Sequence, residues 1–276
     1  MACAMGPENI LKITAFVFLI FLTSCSNFKK KERTSSVVDF NVEQSLFSQE
    51  SFSSELTSVL IDHKYFKIVY NPEKRIAQYV WYELTADQLK MKSASRGDKF
   101  IPDPILKKKN IPYVVSSEYA KTGFDRGHLA PSADFSWSQE ANDLTFVMSN
   151  MAPQLPKLNR DSWKRLEDQV RRWACGEGRL TIITGPILEK VLPTLKSGLI
   201  IPQKFFKVII DETPPKKIVS FIYNQRDRGD VLAKRVVPFS SIEQETKIAL
   251  SEKFNELKND SRKPASLNEW READCY

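Results

Sequence analysis

His128 is set in the run Gly123-Phe124-Asp125-Arg126-Gly127-His128-Leu129-Ala130-Pro131, with an acid and an arginine just ahead of it. Further along, Leu158-Asn159-Arg160-Asp161-Ser162-Trp163-Lys164-Arg165-Leu166-Glu167 opens a predicted helix with an amide and carries a carboxylate two turns in. Cleaving a phosphodiester requires a nucleophilic water, charge stabilisation at phosphorus and a leaving oxygen that can depart. A neutral imidazole can take the water's proton near neutral pH, and guanidinium groups match phosphate oxygens bidentately. A hard divalent cation bridging the phosphate and the leaving oxygen would complete the set. Residues 123–171 hold a part for each task.

Each of these residues also has a plainer structural reading. His128 alone would be a satisfied core histidine. Asn159 would be a helix N-cap, and Glu167 with Arg171 a surface i,i+4 pair worth a few tenths of a kcal/mol. Spacing by four places Asn159, Trp163, Glu167 and Arg171 each about 40° further around a regular helix. Glu167 and Arg171 then face the site while Trp163, Leu166 and Val170 pack on a sheet. The second histidine, His63, reads as a partly exposed polar residue at a strand entrance. No H-x-x-x-H or C-x-x-C spacing occurs, which argues against a zinc site and leaves oxygen ligands and water for any metal.

The elements that must hold these residues are β-rich. Tyr65–Tyr70 and Arg75–Leu84 flank Asn71-Pro72 and predict a hairpin, and residues 85–120 read mostly as loop. Leu180–Ile187 predicts a buried strand. Phe205–Ile210 and Ile218–Tyr223 around Thr213-Pro214-Pro215 predict a second hairpin. Ser241 to Leu257 reads helical, with Ile242, Ile248, Leu250, Phe254 and Leu257 as core contacts. There is no internal repeat or linker, so residues 59–276 form one α+β domain built on antiparallel sheet.

Ahead of it, residues 1–25 read as an export signal. Lys12 provides a weak n-region and Ile13–Leu22 an apolar h-region too short to span a membrane comfortably. Leu22-Thr23-Ser24-Cys25 resembles the bacterial lipobox, in which Cys25 is lipidated and becomes the mature N-terminus. The alternative is an ordinary signal peptide with an incidental cysteine. The segment before Ile10 suggests a start at Met5 rather than Met1. Ser26 resembles the residue that sends lipoproteins onward, so an exported, membrane-anchored lipoprotein of the periplasm or cell surface is expected, with the outer membrane favoured. Residues 26–58, polar and Ser-rich, read as a flexible tether. In an oxidising compartment Cys175 and Cys275 are expected to pair. With 41 Lys+Arg against 34 Asp+Glu, the chain carries +7, which favours an anionic partner and leaves the chemistry open.

The chain resembles the DNA/RNA non-specific endonuclease family, the ββα-metal group that includes the Serratia nuclease and mitochondrial endonuclease G. The resemblance is carried by Gly123-Phe124-Asp125-Arg126-Gly127-His128-Leu129-Ala130-Pro131, by Thr145–Gln154, by Leu158-Asn159, Trp163, Leu166-Glu167 and Arg171, and by Thr184-Gly185-Pro186. It implies the ββα-metal nuclease fold, a central antiparallel sheet flanked by helices. It makes His128 the general base at a strand end, its ring oriented by a backbone carbonyl. Asn159 becomes the one direct protein ligand of Mg²⁺ (or Mn²⁺), and Glu167 holds metal-bound water. Arg126 and Arg171 become phosphate clamps and Arg96 a further substrate-facing arginine, while Asp125 and Asn150 serve as support. Phe146 stands where some members have an Asn. The substrates implied are DNA and RNA, cut to 5′-phosphate and 3′-hydroxyl ends. A homodimer is left open. Two other readings are a surface lipoprotein that binds nucleic acid without cutting it, and a phosphodiesterase for a small or lipid diester.

Overall fold

A computed structural model describes residues 58–229, 231–252 and 266–275, all within one compact unit, Gln49–Tyr276. Cys25, nearly all of the expected tether, Phe254 and Leu257 lie outside the described residues. Seven strands form a sheet in the order β1-β2-β3-β6-β7-β8-β9. They are β1 (Val59–Asp62), β2 (Lys67–Asn71), β3 (Ile76–Thr85), β6 (Arg179–Ile187), β7 (Lys204–Asp211), β8 (Lys217–Asn224) and β9 (Val236–Val237). Every neighbouring pair is antiparallel. β4 (Asp125–His128) and β5 (Met151–Gln154) form a separate antiparallel ribbon.

Both expected hairpins are present. At the first turn the Asn71 side chain accepts the Lys74 N–H at 2.8 Å. At the second, Asp211 accepts the Thr213 N–H at 3.0 Å. Side chains alternate across β7 and β8, so the sheet has two apolar faces. Phe205, Ile209, Val219, Phe221 and Tyr223 pack on one face with Trp163, Leu166, Val170 and Trp173. Phe206, Val208, Ile210 and Ile218 pack on the other with Phe239 and Ile242. Burying a side chain of this size contributes about 1.5–3 kcal/mol.

β3 and β6 pair side by side, yet residues 86–178 separate them in the chain. This insertion carries the ribbon and the helix α4 (Lys164–Glu177), and hence all the chemistry singled out above apart from sheet residues. Its opening was expected to be mostly loop but also contains α1 (Ala86–Lys90) and α2 (Pro104–Lys108). Thr85 and Gln88 cap α1 reciprocally, and Asp103 caps α2 ahead of a proline at its first turn. Local capping satisfies the free N–H groups and makes short helices feasible in a polar stretch. A further short helix, α3 (Gln139–Leu144), starts at a Ser138 cap.

Two expectations are corrected. His63 is buried at 4% exposure, because Asp103 meets its Nε2 at 2.9 Å. Ser149 also donates to that carboxylate, so the histidine's partner comes from a segment distant in sequence and is itself held from another. The expected helix from Ser241 instead runs Phe239–Thr246 as α5 and ends at Lys247 in the left-handed region, φ 60°. The Thr246 hydroxyl donates to the Ile242 carbonyl at 2.7 Å and accepts the Ile248 N–H at 3.3 Å, which turns the chain. Ile242 and Leu250 are buried as expected.

Cys175 and Cys275 are joined across 100 residues. The closing segment lies along the end of α4. Trp270 packs on Trp173 with ring centroids 5.2 Å apart, the Arg271 N–H donates to Glu177 at 2.7 Å, and Ala273 N–H to the Arg172 carbonyl at 3.2 Å. A crosslink of that span constrains the unfolded chain by roughly 3–5 kcal/mol. Cys275→Ser is therefore expected to lower the denaturant midpoint of unfolding substantially, and an unchanged midpoint would contradict this.

Candidate active site

Two glycines shape the ribbon. Gly123 takes φ 82° at the turn before β4, a region costly for residues with a Cβ. Gly127 lies against Gln154: a Cβ there would come within 2.1 Å of the Gln154 side-chain oxygen. His128 is the last residue of β4, and Arg126, two residues earlier, shares its face of the ribbon. Just beyond, Asn150 clamps the chain. Its Oδ1 accepts the Ala130 N–H at 2.9 Å, and its Nδ2 donates to the carbonyls of Ala130 and Thr145 at 2.9 and 2.8 Å.

The His128 ring is 8% exposed, and its Nε2 has no hydrogen-bond partner among the described residues. Among the described residues the ring makes no hydrogen bond to the backbone carbonyl expected to orient it. Aromatic rings hold it instead: Phe146 edge-on at 4.9 Å and Phe100 at 5.8 Å between centroids. Burial, and then the charge of Arg96, push its pKa down to about 3, so the imidazole is neutral across the physiological range. Each ring also carries an arginine. Arg126 lies 4.3 Å over Phe100 and donates to Ser116 Oγ at 2.8 Å. Arg96 lies 5.6 Å from the Phe146 centroid and donates to Ser132 Oγ at 2.8 Å. Phe100 was not foreseen, because nothing near it in sequence marks an aromatic as a site residue.

Asn159 occupies a widened, π-helical turn, Leu158–Trp163, that runs into α4. More residues per turn means that Asn159 leaves the stripe expected from regular spacing, a geometry that recurs at functional sites. Its Nδ2 donates to Asp125 at 2.9 Å. Arg160 grips the same carboxylate through two N–H groups, at 2.6 and 2.8 Å. Burial works against the Asp125 charge, but hydrogen bonds from Arg160 and Asn159 hold its pKa below the ordinary value. An ionised carboxylate only accepts, so it fixes which way the amide faces. The Asn159 oxygen is thereby directed away from Asp125. Arg160, adjacent to the amide, was not singled out from the sequence.

Arg171 was expected to clamp phosphate, but it lies in the interior at 6% exposure. It donates to Asp134 at 2.7 Å and to Asp168. Asp134 also accepts the Tyr82 hydroxyl at 2.7 Å. These carboxylates come from another turn and from α4 itself, and only the fold brings the first to Arg171. Glu167 is half-buried and makes no hydrogen bond among the described residues. Burial pushes its pKa up to about 7, with Lys207 and Arg171 pulling it down and Asp134 and Asp168 pushing it up. The turn Ser132–Phe135 links the two groups, since Ser132 holds Arg96 and Asp134 holds Arg171.

Among the described residues, no group of three or more His, Cys, Asp or Glu side chains could hold a metal ion. The donor set suits a hydrated hard cation instead. Asn159 has one amide oxygen turned from Asp125, and Glu167 has a carboxylate unengaged by protein donors; Mg²⁺ retains water and needs few protein ligands.

A histidine-ended ribbon, followed by a helix bearing an amide and a carboxylate and set against an antiparallel sheet, is the ββα-metal fold. The chain belongs to the DNA/RNA non-specific endonuclease family, whose model matches residues 43–256. It is 31% identical over 193 residues to human mitochondrial endonuclease G, covering 64% of each chain. It is 30% identical over 224 residues to the mitochondrial nuclease of Saccharomyces cerevisiae, covering 76% of this chain and 65% of that one. A nuclease of Nostoc is 37% identical over 145 residues, 52% of each. The chain thus spans about half to two thirds of the length of these relatives. A chain in the crystal structure of the EndoG/EndoGI complex superposes with TM-score 0.61 at 26% identity, covering 68% of this chain and 83% of that one.

The buried imidazole has a measurable consequence. Between its folded pKa of about 3 and the unfolded value of 6.5, the unfolded chain binds more protons, so stability falls as the pH drops through that window. The His128 contribution is complete above 6.5 and spans up to about 5 kcal/mol. Compared with His128→Asn, the wild type should lose melting temperature more steeply from pH 6.5 toward pH 4. Parallel curves for the two proteins would refute this.

Proposed function

We propose that this protein is a metal-dependent endonuclease that hydrolyses DNA and RNA with little sequence preference and leaves 5′-phosphate and 3′-hydroxyl ends. The observation that carries the reading is the neutral His128 ring with an unengaged Nε2, flanked by two arginines held on aromatic faces. A water at Nε2 would give up its proton to the imidazole as it attacks phosphorus. In the free protein this base is weak, because burial and Arg96 disfavour its charged form. A bound phosphodiester would bring negative charge to Arg96 and Arg126, offset that positive field and raise the basicity of His128 when it is needed.

Asn159 would hold Mg²⁺ through its amide oxygen, and Glu167 would orient water beside it. The cation, when bound, supplies charge stabilisation at the phosphate and the leaving oxygen. Asp125 fixes the amide for that role, and Asn150 braces the strand end that carries the base. Arg171, committed to Asp134 and Asp168, would support Glu167 from within rather than grip the substrate.

We also propose export, with Cys25 as a lipid anchor and the outer membrane as the favoured destination. The Cys175–Cys275 disulfide supports an oxidising compartment, since such crosslinks persist there. Among the described residues no helix is long and apolar enough to cross a membrane.

Purified protein incubated with plasmid or total RNA should degrade both with Mg²⁺ and neither with excess EDTA. End-labelling of the fragments should report 5′-phosphates. His128→Ala should lower cleavage by at least about 10²-fold, the scale of lost general-base catalysis, while retaining binding to DNA. Wild-type-like cutting by that variant would sink the proposed mechanism. Binding without cutting by the wild type would favour a capture protein, and turnover of a small diester alone would point to a different substrate.

A further inference from the structure

Lys207 stands in Phe205-Phe206-Lys207-Val208-Ile209-Ile210, a run that otherwise reads as a strand buried on both sides. Alternation puts it on the face of β7 shared with Phe205 and Ile209, which pack under α4. It is 1% exposed, and β6 and β8 enclose it, with Thr184 and Phe221 opposite in register. Its ammonium lies 4.9 Å over the Trp163 ring, one turn ahead of Glu167. Among the described residues it makes no hydrogen bond or close ion pair. A charge placed there must be compensated through space.

The groups that face Glu167 supply the compensation. Asp168 and Arg171 lie on α4, Asp134 on the Ser132–Phe135 turn, and Lys207 on β7. Tyr82, on β3, donates its hydroxyl to Asp134 and stays neutral, since burial and Asp134 raise its pKa well above the ordinary value. Three carboxylates thus face two interior cations, with Lys164 reaching Asp168 from the solvent side. Without Lys207, three carboxylates would face Arg171 alone. Asp134 is held by Arg171 and Tyr82, and Asp168 by Arg171 and Lys164. Only Glu167 lacks a hydrogen-bond donor, so it is the group that would take up a proton.

We propose that Lys207 is a positioning residue: its buried ammonium beneath α4 holds the Glu167 carboxylate in the charged form that can orient water at the cleavage site. The water-orienting part rests on the nuclease reading, whereas the charge coupling does not. Burial lowers the amine's own pKa while Glu167 and Asp134 raise it, so the dependence runs both ways.

The test uses folded wild type, Lys207→Met and Lys207→Arg, with Lys207→Gln in reserve should methionine prevent folding. In metal-free protein, the Glu167 carboxyl is titrated by ¹³C NMR. The methionine variant should move its midpoint up by about one pH unit or more, while the arginine variant should leave it near the wild-type value. Adding Asp168→Asn to Lys207→Met restores the original charge balance and should bring the midpoint back. In Mg²⁺-dependent cleavage, Lys207→Met should lose about tenfold in kcat near pH 7, with KM little changed, and recover toward pH 9. An unmoved Glu167 midpoint in the methionine variant overturns the proposal. So does a cleavage loss that is the same at every pH. A wild type that shows the coupling but does not cut overturns the nuclease reading and the water-orienting role with it.

Discussion

A charge taken into a protein interior must meet its opposite, and α4 is laid on the sheet under that constraint. The helix buries Leu166, Val170, Trp173 and Ala174 against the strands, but the same surface carries Glu167, Asp168 and Arg171. Apolar docking and charge burial are therefore inseparable here. Asp134 and Asp168 take up the Arg171 guanidinium, and Lys207 rises from the sheet beneath Glu167. The apolar contacts supply the driving force, while the ionic group has its partners in place in this docked rotation of the helix. Removing a partner from such a group costs more than the group contributes to stability. Its presence is best understood as setting where Glu167 stands.

The ribbon depends on a second, independent set of constraints. Gly127 allows the Gln154 side chain to lie against β4, Asn150 ties the chain beyond His128, and Phe100 and Phe146 enclose the ring. Burial has opposite consequences for the two titratable groups. It keeps His128 neutral and pushes Glu167 toward its protonated form. Arg96 reinforces the first effect, and Lys207 and Arg171 counter the second. The surrounding cations thus hold the histidine neutral while drawing the carboxylate toward its ionised form. Asp125 joins the ribbon to the helix by holding Asn159 and Arg160, and so determines which face the amide presents.

The insertion between β3 and β6 places all of this at the middle of a sheet whose strands are otherwise close in sequence. Its far end is secured covalently, because the disulfide and the Trp270–Trp173 contact hold the closing segment along the last turns of α4. The helix is thus fixed at both ends. At one end the π-helical turn and Asp125 hold it, and at the other the crosslink does.

Much was legible in the sequence by itself. Hydrophobic runs and proline turns marked the strands of both hairpins, since strand formation and turning are short-range properties. The Asp125–His128 block, with Asn159 and Glu167 after it, marked the candidate site, and two cysteines in a chain expected to be exported implied their bridge. What only the tertiary structure decided involves partners far apart in the chain. Arg171 is an interior residue because Asp134 arrives from another turn, and His63 is buried where Asp103, itself held by Ser149, meets its ring. Asn159 leaves the regular helical stripe because the helix widens where it meets Asp125. Lys207 was visible as an anomaly in an apolar strand, but its meaning required knowing which carboxylates the fold sets above it. Local pattern specifies elements and their faces. Burial, and with it the charge state of every group in the site, depends on which distant segments the fold brings together.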